Sequence, residues 1–174
     1  MAQHQARPEP VLSEAEGPVE GSVITDAMRA EIGKESDPVT FEVDNTACRM
    51  FARAVGYTDP LFFDEEYARS QGYRSIPAPV GFLGHPVYNP NAPQRLGGYF
   101  RADSPFKRIL NGGTDIEYFD TVCAGDLLSA ASKLVDLSER EGRLGPMLIT
   151  VTETTYRNQA GKAVAVVRGT GIQY

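Results

Sequence analysis

Apolar residues first fall into a regular pattern at Ile24. Thr25 is placed to cap a short helix, with Met28 and Ile32 a turn apart and Gly33 ending it. Val39-Thr40-Phe41-Glu42-Val43 alternates apolar with polar residues, the period of a half-buried strand. Asp44 or Asn45 then predicts the cap of a helix through Ala54, with Cys48, Phe51 and Val55 on one face and Gly56 past its end. Asp64 opens a further helical turn, Glu65-Glu66-Tyr67-Ala68-Arg69, which closes near Gly72. From Gly72 to Asn111 the periodicity breaks. Six of the twelve prolines lie there (Pro77, Pro79, Pro86, Pro90, Pro93 and Pro105), so this is loop with at most a short helix over Val80 to Gly84. A structureless stretch of that length is uncommon in a compact domain and tends to carry function.

The last third is β-rich. Gly113 to Phe119, Asp126 to Asp136, Met147 to Arg157 and Ala163 to Ile172 read as strands. Turns are expected at Ala124-Gly125-Asp126, Glu141-Gly142-Arg143 and Asn158-Gln159-Ala160-Gly161. Thr150, Thr152 and Thr154 alternate along one strand face, a pattern of a solvated or partner-paired sheet face more often than a catalytic one. The order is strand, helices, irregular segment, then an antiparallel meander. That predicts an α+β domain with helices packed to one side of a sheet.

Residues 1–22 are rich in Pro, Glu, Gly and Ala and lack apolar periodicity, so a disordered tail is expected ahead of a single domain over 23–174. A chain of 174 residues suits one domain and needs no staple to fold. Apart from the pair Lys107-Arg108, Lys and Arg are scattered singly in a chain of net charge −6, which argues against nucleic acid as a partner. Cys48 and Cys123 form no CxxC pair, and His4 lies in the tail, so no protein-built metal site is expected. The first twenty residues contain no apolar core segment, and no apolar run approaches the roughly 20 residues of a membrane span. A soluble, cytoplasmic protein with reduced thiols is the expectation.

Four blocks then carry a resemblance. Gly56-Tyr57-Thr58-Asp59-Pro60-Leu61-Phe62-Phe63-Asp64 is similar to the hydratase signature G-D-x-N-P-x-H-x-D. Gly72-Tyr73-Arg74-Ser75-Ile76-Pro77-Ala78-Pro79 resembles the approach to that family's central helix. Leu110-Asn111-Gly112-Gly113-Thr114-Asp115-Ile116-Glu117-Tyr118-Phe119 resembles its Gly-Gly strand, and Val122-Cys123-Ala124-Gly125-Asp126 its Gly-Asp turn. Each is weak alone, but four in order across residues 24–174 are fairly specific. The chain thus resembles the MaoC-like and FAS1-like dehydratase N-terminal domains of the acyl dehydratase and enoyl-CoA hydratase group. The resemblance implies an α+β hot-dog fold, a curved antiparallel β-sheet wrapped around a central helix. It also implies pairing with a second hot-dog unit, as homo- or heterodimer, and an acyl-thioester tunnel near their interface.

Hydration of a 2-enoyl thioester needs a base to activate water, an acid to protonate C2 and donors to stabilise the enolate oxygen. In the family, the Asp and His of the signature move the protons. Aligning Asp59-Pro60 with the signature's Asn-Pro puts Tyr57 at the Asp position and Phe62 at the His position. A phenyl ring cannot transfer protons, and a phenol titrating near ~10 is a poor base at neutral pH. The resemblance therefore implies a degenerate half that binds the acyl chain beside a catalytic hot-dog partner. Val80 and Gly81 are expected to offer backbone N–H groups at a helix start; Gly81 as a mere turn is the equal alternative. Tyr57, Phe62, Phe82, Gly112 and Gly113 complete the expected substrate-binding set, with core packing the alternative for the phenylalanines. His85, the only histidine outside the tail, and Asp59 are the candidates for a relocated acid/base pair. A structural histidine and a turn-initiating Asp59 are the plainer readings. Leu96, Tyr99, Phe100 and Phe106 are candidates for a lid or dimer contact, and Arg95, Arg101, Lys107 and Arg108 for a phosphate contact or a solvated loop. Three functions follow: a hydro-lyase subunit, a self-sufficient hydratase with relocated residues, or a non-enzymatic acyl-CoA binding or assembly module. In each, acyl-CoA or an acyl-carrier-protein thioester is the substrate or ligand, and no cofactor is expected.

Overall fold

A computed structural model describes residues 22–88, 90, 104–142 and 145–174. The expected tail, apart from Ser22, and most of the proposed lid therefore lie outside the described residues. Three short helices form where the capping residues predict them. Thr25 accepts from Met28 N–H at the start of α1 (Asp26–Arg29), and Asp44 from Ala47 N–H at the start of α2 (Asn45–Ala54). Asp64 accepts from Tyr67 N–H at the start of α3 (Glu65–Ser70).

The strands are β1 (Val39–Glu42), β2 (His85–Pro86), β3 (Ile109–Tyr118), β4 (Leu127–Gly142), β5 (Gly145–Arg157) and β6 (Ala163–Gln173). They form one curled antiparallel sheet in the order β2-β1-β4-β5-β6-β3. The expected four-strand meander is corrected here: β3 does not pair with β4 but with β6, at the far edge. The link between β3 and β4 is the reason. Phe119 N–H donates to Val164 O, Ala78 N–H to Val122 O, Ala124 N–H to Ile76 O and Gly125 N–H to Val43 O. These bonds carry the chain across the end of the sheet to the β1 side, so a tight hairpin cannot form.

β4 runs six residues past its expected end at Asp136, because a bulge between Leu134 and Asp136 shifts its register. Leu134 and Leu137, three apart, are consequently both buried, at 3% and 7% exposure. A strict two-residue period misses such a strand.

The helix expected over Val80 to Gly84 is absent. Gly81 and Gly84 have φ of 92° and 88°, and the chain turns there before entering β2, which pairs with Phe41 and Glu42 of β1. A Cβ at Gly84 would stand 2.6 Å from Glu42 O, so backbone contact, not helix, decides this position. The helix facing the core is α2. Its Cys48 belongs to one buried cluster with Val43, Ile76, Phe82, Leu83, Val122, Leu128, Val164 and Ala165. Burial of each large aliphatic there contributes about 1.5–3 kcal/mol.

A second cluster joins Ile24 and Met28 to Leu134, Leu137 and Leu148, with Phe106 against it. Glu139 Oε1 accepts from both Ser22 Oγ and Ile24 N–H and fixes where the chain enters. The threonine stripe is not solvated: Thr150 and Thr152 are buried, and Thr154 Oγ1 lies 2.8 Å from Ser132 Oγ. Their neighbours on β6 are Gly171 and Gly169, whose carbonyls accept from Thr150 and Thr152 at 3.4 Å each. Small residues opposite the threonines let the stripe close on its own sheet.

Candidate active site

The region of the expected proton-transfer pair is built where α2 ends. Tyr57 N–H donates to Ala52 O at 2.9 Å and closes the helix. Asp59 Oδ1 then accepts from Leu61 N–H at 2.9 Å, capping a 3-10 turn over Pro60–Phe62. This turn folds Phe62 back onto Tyr57, with ring centroids 4.8 Å apart and planes tilted by 46°. Gly56, Tyr57, Thr58, Asp59 and Phe62 line an open depression of about 340 Å³. The two signature positions therefore do converge, and what they present is a pair of aromatic rings. Asp59 lies beside them on the same surface with one carboxylate oxygen committed to the cap.

Gly81, Phe82 and His85 form a neighbouring group over the face of α2. Phe82 packs at 5.4 Å from Phe51 and 5.2 Å, edge to face, from His85. His85 is exposed on β2 opposite Glu42. Among the described residues no hydrogen bond joins it to Asp59. Val80 is 69% exposed, and its backbone starts no helix. The Gly81 N–H is engaged: it donates to Tyr118 Oη at 2.9 Å. Gly112 and Gly113 sit elsewhere on β3, at the bulge where Gly113 N–H donates to Asn111 Oδ1. Tyr118 lies five residues further along β3 than Gly113, about 17 Å at the usual rise.

Sequence reasoning missed three residues. Asp126 is buried, and its carboxylate takes both guanidinium nitrogens of Arg74, at 2.8 and 3.0 Å, and the Cys123 N–H at 2.9 Å. Burial pushes its acidity down, but the Arg74 hydrogen bonds and the Cys123 N–H outweigh it and hold the carboxyl below its usual range. Arg74 also donates to Thr121 O at 3.2 Å, so this pair ties the Gly72–Pro79 approach segment to the Gly-Asp turn. The lone Arg in that segment and the acid of the turn were the available signals. Tyr118, the last residue of β3, is the third.

Among the described residues no group of three or more His, Cys, Asp and Glu side chains converges as metal ligands. Both cysteines are buried and free. Burial pushes the Cys48 thiol up to about 12, with Asp44 and Cys123 adding to the effect, which leaves it protonated and unreactive at neutral pH. Burial, and Tyr118 beside it, likewise push up the Tyr156 phenol. No helix among the described residues is long and apolar enough to cross a membrane.

The model of the FAS1-like dehydratase domain region matches residues 30–167, most of the chain. The protein belongs to this family. A probable enoyl-CoA hydratase alpha subunit of Thermomonospora curvata is 26% identical over 132 residues, 69% of this chain. The chain spans only 41% of that relative's length. An uncharacterised UPF0336 protein of Streptomyces griseus is 31% identical over 108 residues, 59% of this chain and 68% of the relative. Among solved structures, the C-terminally truncated HadBC (3R-hydroxyacyl-ACP dehydratase) complex of Mycobacterium tuberculosis superposes with a TM-score of 0.63 at 24% identity. The match covers 82% of this chain and 96% of that one. The fold is the α+β hot-dog fold of MaoC-like dehydratases. Within this FAS1-like dehydratase frame, the 340 Å³ depression occupies the segment that resembles the signature. Tyr57 and Phe62 are among the residues that line it.

Proposed function

We propose that this chain is the degenerate, acyl-binding half of an acyl-thioester dehydratase or enoyl-CoA hydratase, completed by a hot-dog partner that carries the proton-transfer pair. The observation that carries this reading is the contact of Tyr57 with Phe62, ring to ring at 4.8 Å, at the signature positions. An aromatic pair in an open depression suits the methylene groups of an acyl chain and cannot activate water at neutral pH. The edge strand β3 supports the need for a partner. Ile109, Leu110 and Phe119 on or just past it are each about half exposed, and its outer backbone edge is unpaired among the described residues. The HadBC structure is itself a complex. The substrate in this reading is an acyl-CoA or acyl-carrier-protein thioester, handled without a cofactor in the cytoplasm.

The test is hydration of crotonyl-CoA by the purified chain, followed at the enoyl-thioester absorbance. The chain alone is expected to be nearly inactive and to gain activity only with a dyad-bearing hot-dog subunit. Robust activity of the lone chain, lost in His85→Ala or Asp59→Ala, overturns the reading in favour of a relocated acid/base pair.

A further inference from the structure

The Gly81 N–H is one of the two backbone donors, with Val80, expected to meet a thioester oxygen directly, and it is occupied. Its partner, Tyr118 Oη, lies 37 residues away in sequence and 2.9 Å away in space. Gly81 itself is exposed, but packed residues flank it. Pro79 and Phe82 on either side are buried, Phe82 N–H donates to Pro79 O at 2.9 Å, and Phe51 Cζ would lie 3.7 Å from a Cβ at Gly81. The N–H is thereby placed to orient the phenol. Tyr118, Ala165 and Tyr156 stand directly opposite one another on β3, β6 and β5, so their side chains share one face. Ala165 is fully buried and belongs to the main core cluster, so the shared face is the one that packs the core. At the edge of this face Tyr118 remains 37% exposed and accessible.

A tyrosine hydroxyl has one proton to give and lone pairs to receive. Here a lone pair takes the Gly81 N–H, while the proton has no acceptor among the described residues. Accepting a hydrogen bond polarises the O–H and makes it a better donor. The result is a hydroxyl positioned by a backbone N–H with its own proton left to donate, the kind of arrangement that stabilises a carbonyl oxygen gaining negative charge.

We propose that Tyr118 is a substrate-binding residue whose hydroxyl, oriented by Gly81, donates a hydrogen bond to the carbonyl oxygen of a bound acyl thioester. This rests on the acyl-thioester reading above and assigns the contact to a side chain rather than to backbone N–H groups at a helix start.

The test compares two ligands by calorimetry on the full chain: butyryl-CoA, and S-butyl-CoA, a thioether in which a methylene replaces the carbonyl. The wild-type chain is expected to bind the thioester about tenfold more tightly, the scale of one such hydrogen bond. In Tyr118→Phe that preference disappears while thioether affinity stays unchanged, which also reports that the variant is folded. A preference retained in Tyr118→Phe, or thioester binding that tightens there because the phenol was only plugging Gly81, overturns the inference. Equal binding of both ligands by the wild type overturns it too, yet leaves the acyl-CoA reading standing. Binding of neither ligand refutes the acyl-CoA reading itself, and the inference with it. If Tyr118→Phe does not fold, 3-fluorotyrosine at position 118, measured at about pH 6 so that the more acidic phenol stays protonated, keeps the hydroxyl and strengthens it as a donor. The thioester preference must then widen, and an unchanged preference overturns the inference.

Discussion

Asp126 joins two segments that the sequence separates widely, and its behaviour with pH follows from its partners. It is 4% exposed as a side chain, whereas Arg74 is 62% exposed, so Arg74 can be resolvated when the pair is broken. Asp126→Asn keeps the volume but removes the charge from two guanidinium bonds and one backbone bond. A loss of about 1–3 kcal/mol at pH 7 is expected, measured by urea denaturation. Because the folded-state pKa lies below the unfolded value, the carboxylate's contribution is complete above the unfolded pKa near ~4. It fades as pH falls through the lower folded value. The gap between wild type and Asp126→Asn should therefore be constant from about pH 5 to 8 and shrink in more acid solution; a gap that widens on acidification would contradict the assignment. Sequence reading found the Ala-Gly-Asp turn but not the job of its acid, because the Arg74 partner is fixed only by the folded chain. At Tyr57 and Phe62 the sequence was sufficient, since five residues and a proline-initiated turn determine that contact locally.

At the scale of elements, the segment entering β2 shows how a backbone contact overrules a helix signal. Gly33 and Gly84 share a left-handed backbone, with φ of 82° and 88°. A Cβ at Gly33 meets nothing within 4 Å, while one at Gly84 collides with Glu42 O and C at 2.6 and 2.9 Å. Gly33→Ala is expected to cost about 1–2 kcal/mol, from left-handed strain alone. Gly84→Ala should cost clearly more, because it also pushes β2 off β1. Paired thermal melts check the order, and equal losses would mean that β2 is not held where the structure places it. The helices were legible because a capping side chain and its N–H lie two or three residues apart. The β4 bulge was not, since an extra residue in a strand leaves no mark in composition.

For the whole molecule, one sheet edge is short and the other long. β2 is a two-residue strand, which blunts that edge, whereas β3 offers ten residues with side chains exposed along nearly its full length. If β3 is the surface that meets the hot-dog partner, Leu110→Asp should abolish assembly, seen by sedimentation velocity. The melting temperature of the lone chain should hardly change, because Leu110 is already 52% exposed. Assembly unaffected by this charge would move the interface elsewhere. Half of the net charge of −6 lies in residues 1–20, which leaves little on the domain itself, so association is expected to rest on strand pairing and apolar contact rather than on charge attraction.

The order of residues alone determined the N-terminal caps of all three helices, the β-rich last third and the aromatic contact of Tyr57 with Phe62, whereas α1 stops at Arg29, short of the Gly33 end its spacing predicts. These are short-range properties, settled by side chains reaching their own neighbourhood. Tertiary structure decided the rest: β3 crosses to β6, the Val80–Gly84 stretch turns instead of coiling, and the threonine stripe closes against Gly169 and Gly171. It also brought Tyr118 to Gly81 and Asp126 to Arg74. Each of these depends on which distant strand or segment the closing sheet brings alongside, and no local period encodes that choice.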